Sequence, residues 1–549
     1  MRKRLAKGLA LVLAVATAFG CAGCGGGQGG SGKNNAKVVN NCYETGYPIA
    51  EETVTLTVMV KDDSMGKIQD YDALPINDWI KEKMNIEIEW LVVPGDSSVN
   101  QQATLAFTSG NMPDILLGMA PLGYEFYWDY ILEGKVQDLT PYLTKYAPNT
   151  IKMFGEQPLA EYLCTGYDGK VYMLPNVRSY ETDKGRFAGK LYINQTWLDN
   201  LGLEVPTTTK EFKEVLKAFR DNDPNGNGIK DEIPLDMAGD IAVGMYGPFG
   251  ISVYKDMWYV DDDNKVHYAP VEDNYRRALT YYRDLYAEGL LGDKLFEQSM
   301  TDIAKKINGT VSTVGCFVND GINLLDAERA EEYVVVAPLS DELGNCTWTN
   351  QLTESMWPEW FVVTSECKYP EIAVRFADYF YSTEGTYTGL YGPEGKDNLW
   401  YFNEDGKVVF NDPVNKDVDR YEYTPGPSMP YYMSDEYYAV EYKETDESKM
   451  DLKNKLHNRN IAYQMETYSK VVPKNTWPKV KQTLANMKTY KAIKQDIADM
   501  QWRIDFIKGT KSIENEWDTY IANFKKLGVD DMIRVQQESY DDYLKWLEQ

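Results

Sequence analysis

The sequence predicts an α/β fold of two or more domains, and three observations support this prediction. Segments with strand-like alternation are interleaved with segments of helical spacing, which is the pattern of a parallel sheet covered by helices. The body of the chain is about 500 residues long, more than one hydrophobic core supports. Later segments repeat the same alternation, so more than one unit of this kind is expected.

The first predicted unit is a β-α-β-α-β run. Residues 54–60 and 86–93 alternate β-branched or apolar side chains, and residues 113–117 form a short apolar run. Residues 76–84 and 100–109, between these strands, have helical spacing. Because each helix joins two successive strands, the strands are expected to lie parallel, with helices on both faces of the sheet.

Further elements follow along the chain. Strands are predicted over residues 191–193, 333–338 and 360–364. Helices are predicted over residues 209–219, 274–288 and 370–382. The threonine run at 207–209 is expected to cap the first of these helices, and Gly289 to end the second. The last 75 residues or so are mostly helical and charged.

The N-terminus has the pattern of an export signal followed by a lipid anchor. Four basic residues among the first seven precede an apolar run that is too short to span a bilayer. Cys21 follows an Ala-Phe-Gly run in the manner of a bacterial lipobox, whose thiol is acylated, and Cys24 is the alternative acceptor. We therefore predict a lipoprotein signal peptide over residues 1–20 and a flexible tether over residues 21–50. The body is expected at the outer face of the bacterial cell membrane, held there by lipid.

The chain is strongly acidic. It carries 57 Lys and Arg against 84 Asp and Glu, a formal net charge of −27, and loss of the four basic signal residues would bring this to about −31. Such a surface repels nucleic acid and anionic lipid, so no nucleic-acid partner is expected. It also argues against a strongly anionic substrate unless a local basic patch outweighs the net charge.

Residue types that support nucleophilic or redox chemistry are scarce. Apart from the two lipobox candidates, the five Cys show no zinc or redox spacing, and buried thiols are expected, with a Cys316–Cys346 bridge as the alternative. The chain contains two His, His267 and His457, far apart in sequence. A His-assisted nucleophile therefore has almost nothing to use, and we predict that the protein is not an enzyme.

A segment between residues 221 and 232 carries many oxygen-bearing side chains around two glycines. Calcium is a hard cation that takes six to eight oxygen ligands, so this spacing predicts a structural calcium site. In the preferred arrangement Gly228 makes the sharp turn and the ligands are Asp223, Asn225, Asn227, the carbonyl of Ile229, Asp231 and Glu232. In the alternative arrangement Gly226 makes the turn, and Asp221, Asp223, Asn225 and Glu232 are the ligands, as in the EF-hand formula. A metal-free Asx-rich turn is the simplest alternative to both.

Several segments, taken in order, resemble the family 1 extracellular solute-binding proteins. These segments are Phe107-Thr-Ser-Gly-Asn-Met-Pro-Asp-Ile115, Val136-Gln-Asp-Leu-Thr-Pro-Tyr142, Asp168-Gly-Lys-Val-Tyr-Met-Leu-Pro175, Leu191-Tyr-Ile-Asn-Gln-Thr-Trp197 and Tyr391-Gly-Pro-Glu-Gly395. The similarity runs from about residue 54 to 400. The length of the chain and the loop at 221–232 resemble the subgroup that includes Gram-positive binding lipoproteins and alginate-oligosaccharide binders, in which this loop carries calcium.

This resemblance implies a periplasmic-binding-protein-like fold, in which two α/β lobes are joined by a multi-crossover hinge and the ligand cleft lies between them. The implied crossovers lie near residues 172–178, near residues 359–364 and after about residue 425. Lobe 1 would comprise residues 51–175 and about 363–430, and lobe 2 residues 176–362 and about 431–549. The implied function is capture of a carbohydrate, in all expectation an oligosaccharide, and its delivery to the permease and ATPase subunits of an ABC importer.

The aromatic composition favours a sugar ligand. The chain has 41 Tyr and 13 Trp against 17 Phe, and flat rings with polar tips suit the apolar faces and hydroxyls of sugars. The candidate ligand contacts are Tyr127, Trp128, Tyr246, Trp258, Trp357, Glu359, Trp360, Tyr391 and Trp400. The alternative functions are a secreted glycoside hydrolase, which needs two carboxylates at a defined separation, and a peptide-binding lipoprotein. We expect the protein to act as a monomer.

Overall fold

The computed structural model describes residues 36–548 except for residues 65, 95–97, 120–121, 180–186, 188, 254–255, 323, 349–355, 412–418, 442–449, 451 and 495–499. The predicted signal peptide over residues 1–20 and both lipidation candidates, Cys21 and Cys24, lie outside this part of the chain. Within the described ranges, no helix combines the length and the apolar character needed to cross a bilayer.

The sixteen strands of the described chain form five sheets. The strands are β1 Val38–Val39, β2 Cys42–Tyr43, β3 Val54–Lys61, β4 Ile86–Val93, β5 Ile115–Leu117, β6 Met173–Arg178, β7 Lys190–Asn194, β8 Ile233–Asp236, β9 Trp258–Val260, β10 Val266–Tyr268, β11 Val314–Asn319, β12 Tyr333–Val335, β13 Met356–Val363, β14 Trp400–Phe402, β15 Val408–Phe410 and β16 Tyr432–Met433. The two large sheets have the strand orders β16-β6-β13-β5-β3-β4 and β12-β7-β11-β8, and three two-stranded sheets accompany them.

Helices surround these sheets and fill the C-terminal part of the chain. They are α1 Pro75–Met84, α2 Ser98–Ser109, α3 Tyr124–Leu132, α4 Thr140–Tyr146, α5 Pro148–Glu156, α6 Pro158–Cys164, α7 Gln195–Leu201, α8 Thr209–Asp221, α9 Asp273–Ala287, α10 Met300–Ile307, α11 Ala327–Glu331, α12 Pro370–Phe380, α13 Thr383–Tyr391, α14 Asp435–Val440, α15 Leu452–Thr467, α16 Met487–Lys494, α17 Met500–Lys508, α18 Ile513–Lys526 and α19 Val529–Glu548. Each predicted helix has a counterpart whose ends differ by a few residues.

The predicted helix caps are present. Thr208 is the N-cap of α8, where its hydroxyl accepts from the Glu211 backbone N–H at 3.1 Å and the Glu211 carboxylate accepts from the Thr208 N–H at 3.2 Å. This reciprocal pair satisfies two backbone donors that the helix itself cannot. Gly289, just after α9, has φ of 67°, the left-handed conformation in which glycine commonly ends a helix.

The first sheet contains the predicted parallel β-α-β-α-β unit and one strand that runs the other way. β3 pairs in parallel with both β4 and β5. β13 is antiparallel to β5 and to β6, with Phe361 opposite Leu117 on one side and Leu174 on the other. β13 runs in the opposite direction because the chain enters this sheet from the second sheet rather than through a crossover helix.

Each large sheet has its own hydrophobic core. The first core includes Ile80, Ile115 and Phe361, all fully buried, and the second includes Leu198 and Phe317, also fully buried. In the second sheet β7 is antiparallel to β11 and β12, whereas β8 is parallel to β11. The predicted fold, two α/β lobes of the periplasmic-binding-protein type, is therefore confirmed.

Three strands of the first sheet lead into or out of the second lobe. The chain leaves the first sheet after β6, returns along β13, and leaves again after β16, which still pairs with β6. The lobe boundaries predicted at 175–176, 362–363 and about 430 fall inside or beside these three strands. Because the connections are themselves strands of the first sheet, a short sequence segment cannot assign them to one lobe.

The tether predicted over residues 21–50 is too long. β1 and β2 form a hairpin, and Ile49 and Ala50 are buried in the first core. Their backbone N–H groups donate to the Met84 carbonyl at 3.0 and 3.1 Å. The described residues from Val38 onward are therefore part of the folded first lobe, which the glycine-rich composition of the preceding segment did not indicate.

The five described Cys are free, so the alternative of a Cys316–Cys346 bridge is wrong. Cys316 is fully buried in β11, and burial raises the pKa of its thiol. The Sγ of Cys346 instead faces the Pro338 carbonyl at 3.5 Å. Buried thiols, which were the main expectation, are what the structure contains.

Candidate functional site

The predicted cation loop connects α8 to β8 in the second lobe. Its backbone turns at Gly226 and Gly228, with φ of 70° and 74°, which residues with a side chain rarely adopt. The Asp223 carboxylate accepts from the N–H groups of Asn227 at 3.1 Å and Gly228 at 2.9 Å. This oxygen-rich turn is therefore held in one conformation by its own first carboxylate.

Three carboxylates meet in this loop. One Asp231 oxygen accepts from the side-chain amides of Asn225 at 3.3 Å and Asn227 at 3.1 Å. Both Glu232 oxygens are buried and have no hydrogen-bond partner among the described residues. Burial raises the pKa of Glu232, and the carboxylates of Asp231 and Asp223 act in the same direction. A buried carboxylate without a partner is costly, and a bound cation would compensate it.

The surroundings of Asp221 favour the first of the two ligand arrangements. Both oxygens of Asp221 face the Arg220 guanidinium, from Nε at 2.7 Å and Nη2 at 2.8 Å, so this carboxylate already has a partner. Among the described residues, no group of three or more His, Cys, Asp and Glu side chains is arranged to hold a metal by itself. A cation in this loop would therefore also need the amide oxygens and the Ile229 carbonyl, which suits calcium.

The strongest aromatic candidates lie on β13, one of the strands that join the lobes. The Trp357 ring meets the Trp360 ring at 6.0 Å and the Tyr431 ring at 6.4 Å, both edge to face. Trp360 is buried and its indole N–H donates to the Ser428 carbonyl at 2.9 Å, whereas Trp357 is half-buried. Trp357 therefore has free ring surface, and Trp360 is anchored in the first lobe.

Two cations lie over Trp357. The Arg178 guanidinium at the end of β6 is 5.5 Å from the ring centroid, and the Lys479 ammonium is 6.0 Å from it. Lys479 also donates to the Met356 carbonyl at 2.6 Å. Because Lys479 follows the second lobe's helix α15, Trp357 marks the place where segments of both lobes meet, and the cations contribute attraction to its ring.

The candidates on α3 lie in the first core. Tyr127 is fully buried; burial raises its pKa strongly, and the nearby Glu359 carboxylate adds to this. The Trp128 ring stacks on Tyr124 at 5.9 Å and meets Tyr167 edge to face at 4.7 Å. The structure thus brings Glu359 and Tyr127 together, and surrounds Trp128 with two tyrosines.

The remaining candidates lie elsewhere. Tyr246 and Trp258 are buried in the second core, where Tyr246 stacks on Tyr275 at 5.4 Å and Trp258 packs on Tyr268 at 4.6 Å. Tyr391 and Trp400 belong to a third, smaller cluster, against which Trp357 packs. The indole N–H of Trp400 donates to the Gly392 carbonyl at 2.8 Å. As ligand contacts these four residues stay predictions.

Sequence reasoning missed five residues of this region, and the reason differs between them. Tyr124, Tyr167 and Tyr431 lie in aromatic-rich stretches that the sequence shows, although nothing in the sequence separates them from their neighbours. Arg178 and Lys479 gave no signal, because about 300 residues separate them and only the fold brings both to Trp357.

The surroundings of His267 agree with the expectation that histidine does no catalytic work here. Its Nδ1 lies 2.6 Å from Glu272 Oε1 and its Nε2 3.0 Å from Asp261 Oδ2. The hydrogen bond with Glu272 raises the pKa of His267 more than burial lowers it, and the bond with Asp261 adds to the rise. Both ring nitrogens are thus occupied by carboxylates, which leaves neither for a nucleophile.

Comparison with known proteins relates this architecture to a large group. The model of the family described as bacterial extracellular solute-binding protein matches residues 65–387. FusA of Streptococcus pneumoniae serotype 4, a fructooligosaccharide ABC transporter substrate-binding protein, is 25% identical over 480 residues, which make up 84% of this chain and 86% of FusA.

Solved structures agree in fold. The EF-hand mutant of S. pneumoniae FusA, in complex with fructo-nystose, aligns with a TM-score of 0.78 at 22% identity, over 89% of this chain and 99% of that one. The alginate-binding protein AlgQ2 without calcium ion aligns with a TM-score of 0.70 at 19% identity, over 90% of this chain and 99% of that one. At these identities the likeness establishes the fold.

Proposed function

The chain belongs to the bacterial extracellular solute-binding proteins, and from this premise we propose that it captures an oligosaccharide between its lobes and delivers it to an ABC importer. The observation that carries the proposal is the match to FusA, a fructooligosaccharide-binding protein, across most of both chains. The protein would act by binding alone, as a monomer, and the permease and ATPase subunits of the importer would be its partners.

The geometry of the lobe junction supports this role. Trp357 exposes part of its ring beside the strands that join the lobes, and an exposed aromatic face is the surface on which a sugar ring stacks. A ligand that contacts both lobes favours the closed arrangement, because only that arrangement makes both sets of contacts. Closure around the sugar is the signal that an importer would recognise.

A structural calcium ion in the second lobe is part of the proposal. Its ligands would be Asp223, Asn225, Asn227, the Ile229 carbonyl, Asp231 and Glu232. The buried, partnerless oxygens of Glu232 beside two further carboxylates support this assignment. The relatives add to it, since FusA has an EF-hand that has been mutated and AlgQ2 has been solved without calcium ion.

We further propose that the protein is lipid-anchored through Cys21, with Cys24 as the alternative. The lipobox pattern and the glycine-rich segment after it support this assignment. The anchor would hold the folded lobes at the outer face of the cell membrane, next to the permease.

The test is a binding screen of the purified protein against neutral oligosaccharides, uronate oligosaccharides and peptides, with analysis of the ligands afterwards. The proposal expects saturable binding of an oligosaccharide that is recovered intact. Shortened sugars would show a glycoside hydrolase instead, and peptide binding without sugar binding would show a peptide-binding lipoprotein. Loss of binding in Trp357→Ala, with an unchanged melting temperature, would place the sugar at the lobe junction.

A further inference from the structure

A group of three aromatic residues in the first lobe contains polar atoms without partners. Tyr124, Trp128 and Tyr167 pack against each other, with ring centroids between 4.7 and 5.9 Å apart. The two tyrosine hydroxyls and the indole N–H are buried, and none has a hydrogen-bond partner among the described residues. Buried polar atoms are nearly always hydrogen-bonded, so three together call for a molecule that binds them. We name this group the α3 box.

The α3 box lies beside segments of the second lobe. Tyr124 is the first residue of α3, which follows β5, and Tyr167 lies in the turn between α6 and β6. From the other lobe, Lys491 of α16 pairs with Asp129 of α3 at 2.7 Å. Lys481 donates to the Thr165 carbonyl of the turn at 2.6 Å. The box is therefore next to the junction of the lobes, as a ligand subsite would be.

The charged groups near the α3 box are acidic. Burial raises the pKa of Tyr124, and the carboxylates of Asp168 and Glu125 raise it further. The pKa of Tyr167 is raised by burial and then by Glu125. A ligand carboxylate placed here would meet these charges without a hydrogen bond from any cation, at a considerable cost in binding energy.

Building on the proposed function, we propose that Tyr124, Trp128 and Tyr167 form a subsite for an uncharged sugar residue and discriminate against a uronate. The indole N–H can only donate, so it requires an acceptor oxygen, while the tyrosine hydroxyls can both donate and accept. Sugar hydroxyls supply both functions, and the rings supply apolar surface for the C–H groups of the sugar. The class of ligand is thus a neutral oligosaccharide rather than an acidic one.

The test uses tyrosine-to-phenylalanine changes, which remove only the hydroxyl. Tyr124→Phe and Tyr167→Phe should each weaken binding of the best neutral trisaccharide from a panel that includes kestose by about 5-fold, and the double variant by about 20-fold. Melting temperatures without sugar should stay equal or rise, because a partnerless hydroxyl is removed. Trigalacturonate should bind the wild type at least 10-fold more weakly than the neutral sugar. Isothermal titration calorimetry and scanning fluorimetry measure both quantities.

A matched control removes a hydroxyl that has a partner. Tyr468 is fully buried in the second core and its hydroxyl donates to the Val336 carbonyl at 2.6 Å. Tyr468→Phe should lower the melting temperature and leave sugar affinity within 2-fold. Unchanged affinity in the double α3-box variant would overturn the subsite and leave water as the partner of these atoms. Tighter binding of trigalacturonate would overturn the argument from charge, whereas binding of no sugar by the wild type would refute the proposed function itself.

Discussion

The double change Asp231→Asn and Glu232→Gln is the most direct test of the calcium loop, because it removes two charges and keeps the size of the side chains. A cation bound only by the folded state stabilises it by about 2.7 kcal/mol at a hundredfold excess over its dissociation constant. For a lobe of about 200 residues, this corresponds to a rise in melting temperature of roughly 5–10 °C. The double variant should lose this calcium-dependent rise.

The metal-free state gives a second expectation with the opposite sign. Without calcium, the two Glu232 oxygens are buried beside the Asp231 and Asp223 carboxylates. Neutralising Glu232 removes this unfavourable charge, so the chelated double variant should melt no lower than the chelated wild type. Because the pKa of Glu232 is raised in the folded state, the chelated wild type should also gain stability as the pH falls through that pKa.

Scanning calorimetry in EDTA and in excess calcium measures both effects, and Asp221→Asn is the matched control. Asp221 is paired with Arg220, so this variant should keep the calcium-dependent rise. If Asp221→Asn abolishes the rise, the alternative ligand arrangement is right. If the wild type melts at the same temperature with and without calcium, after chelation has been verified, the loop is only a turn.

Three further predictions concern the lobe junction, the N-terminus and the pH response. Trp360→Ala should cost about 3–5 kcal/mol of folding stability, whereas Trp357→Ala should lower sugar affinity by about 1–3 kcal/mol with a smaller loss of stability; titration calorimetry and denaturant unfolding separate the two, and the reverse pattern would contradict the burial argument. A tagged fatty acid should label the wild type and not a Cys21→Ala, Cys24→Ala double variant; equal labelling would rule out the lipid anchor. The raised pKa of His267 contributes stability that is fully present below its usual pKa of 6.5 and is lost as pH rises through the folded-state value, so His267→Gln should flatten this fall in urea unfolding, and a slope that persists assigns the effect to another group.

Local sequence patterns were sufficient for the elements of the first sheet. The alternation in β3 and β4 reflects the two faces of a strand, and the period of α1 reflects the one face it buries. The capping of α8 by Thr208 and the turn at Gly228 are likewise decided by neighbours in the chain. Their physical causes act over a few residues, so the sequence displays them directly.

The oxygen set of the calcium loop was also predictable, because all of it lies within twelve residues. What the sequence left open was the choice between two arrangements. The structure bears on that choice through the pairing of Asp221 with Arg220 and the burial of the Glu232 oxygens.

Only the tertiary structure decided which residues meet at the junction of the lobes. Trp357 is contacted by Arg178 and Lys479, which are about 300 residues apart, and no local pattern relates them. The α3 box likewise needs a turn some 40 residues beyond α3. A strand or a turn follows from steric and hydrogen-bonding preferences of adjacent residues, but a binding surface follows from how whole sheets pack, and its polar atoms are unsatisfied only once that packing has removed the water around them.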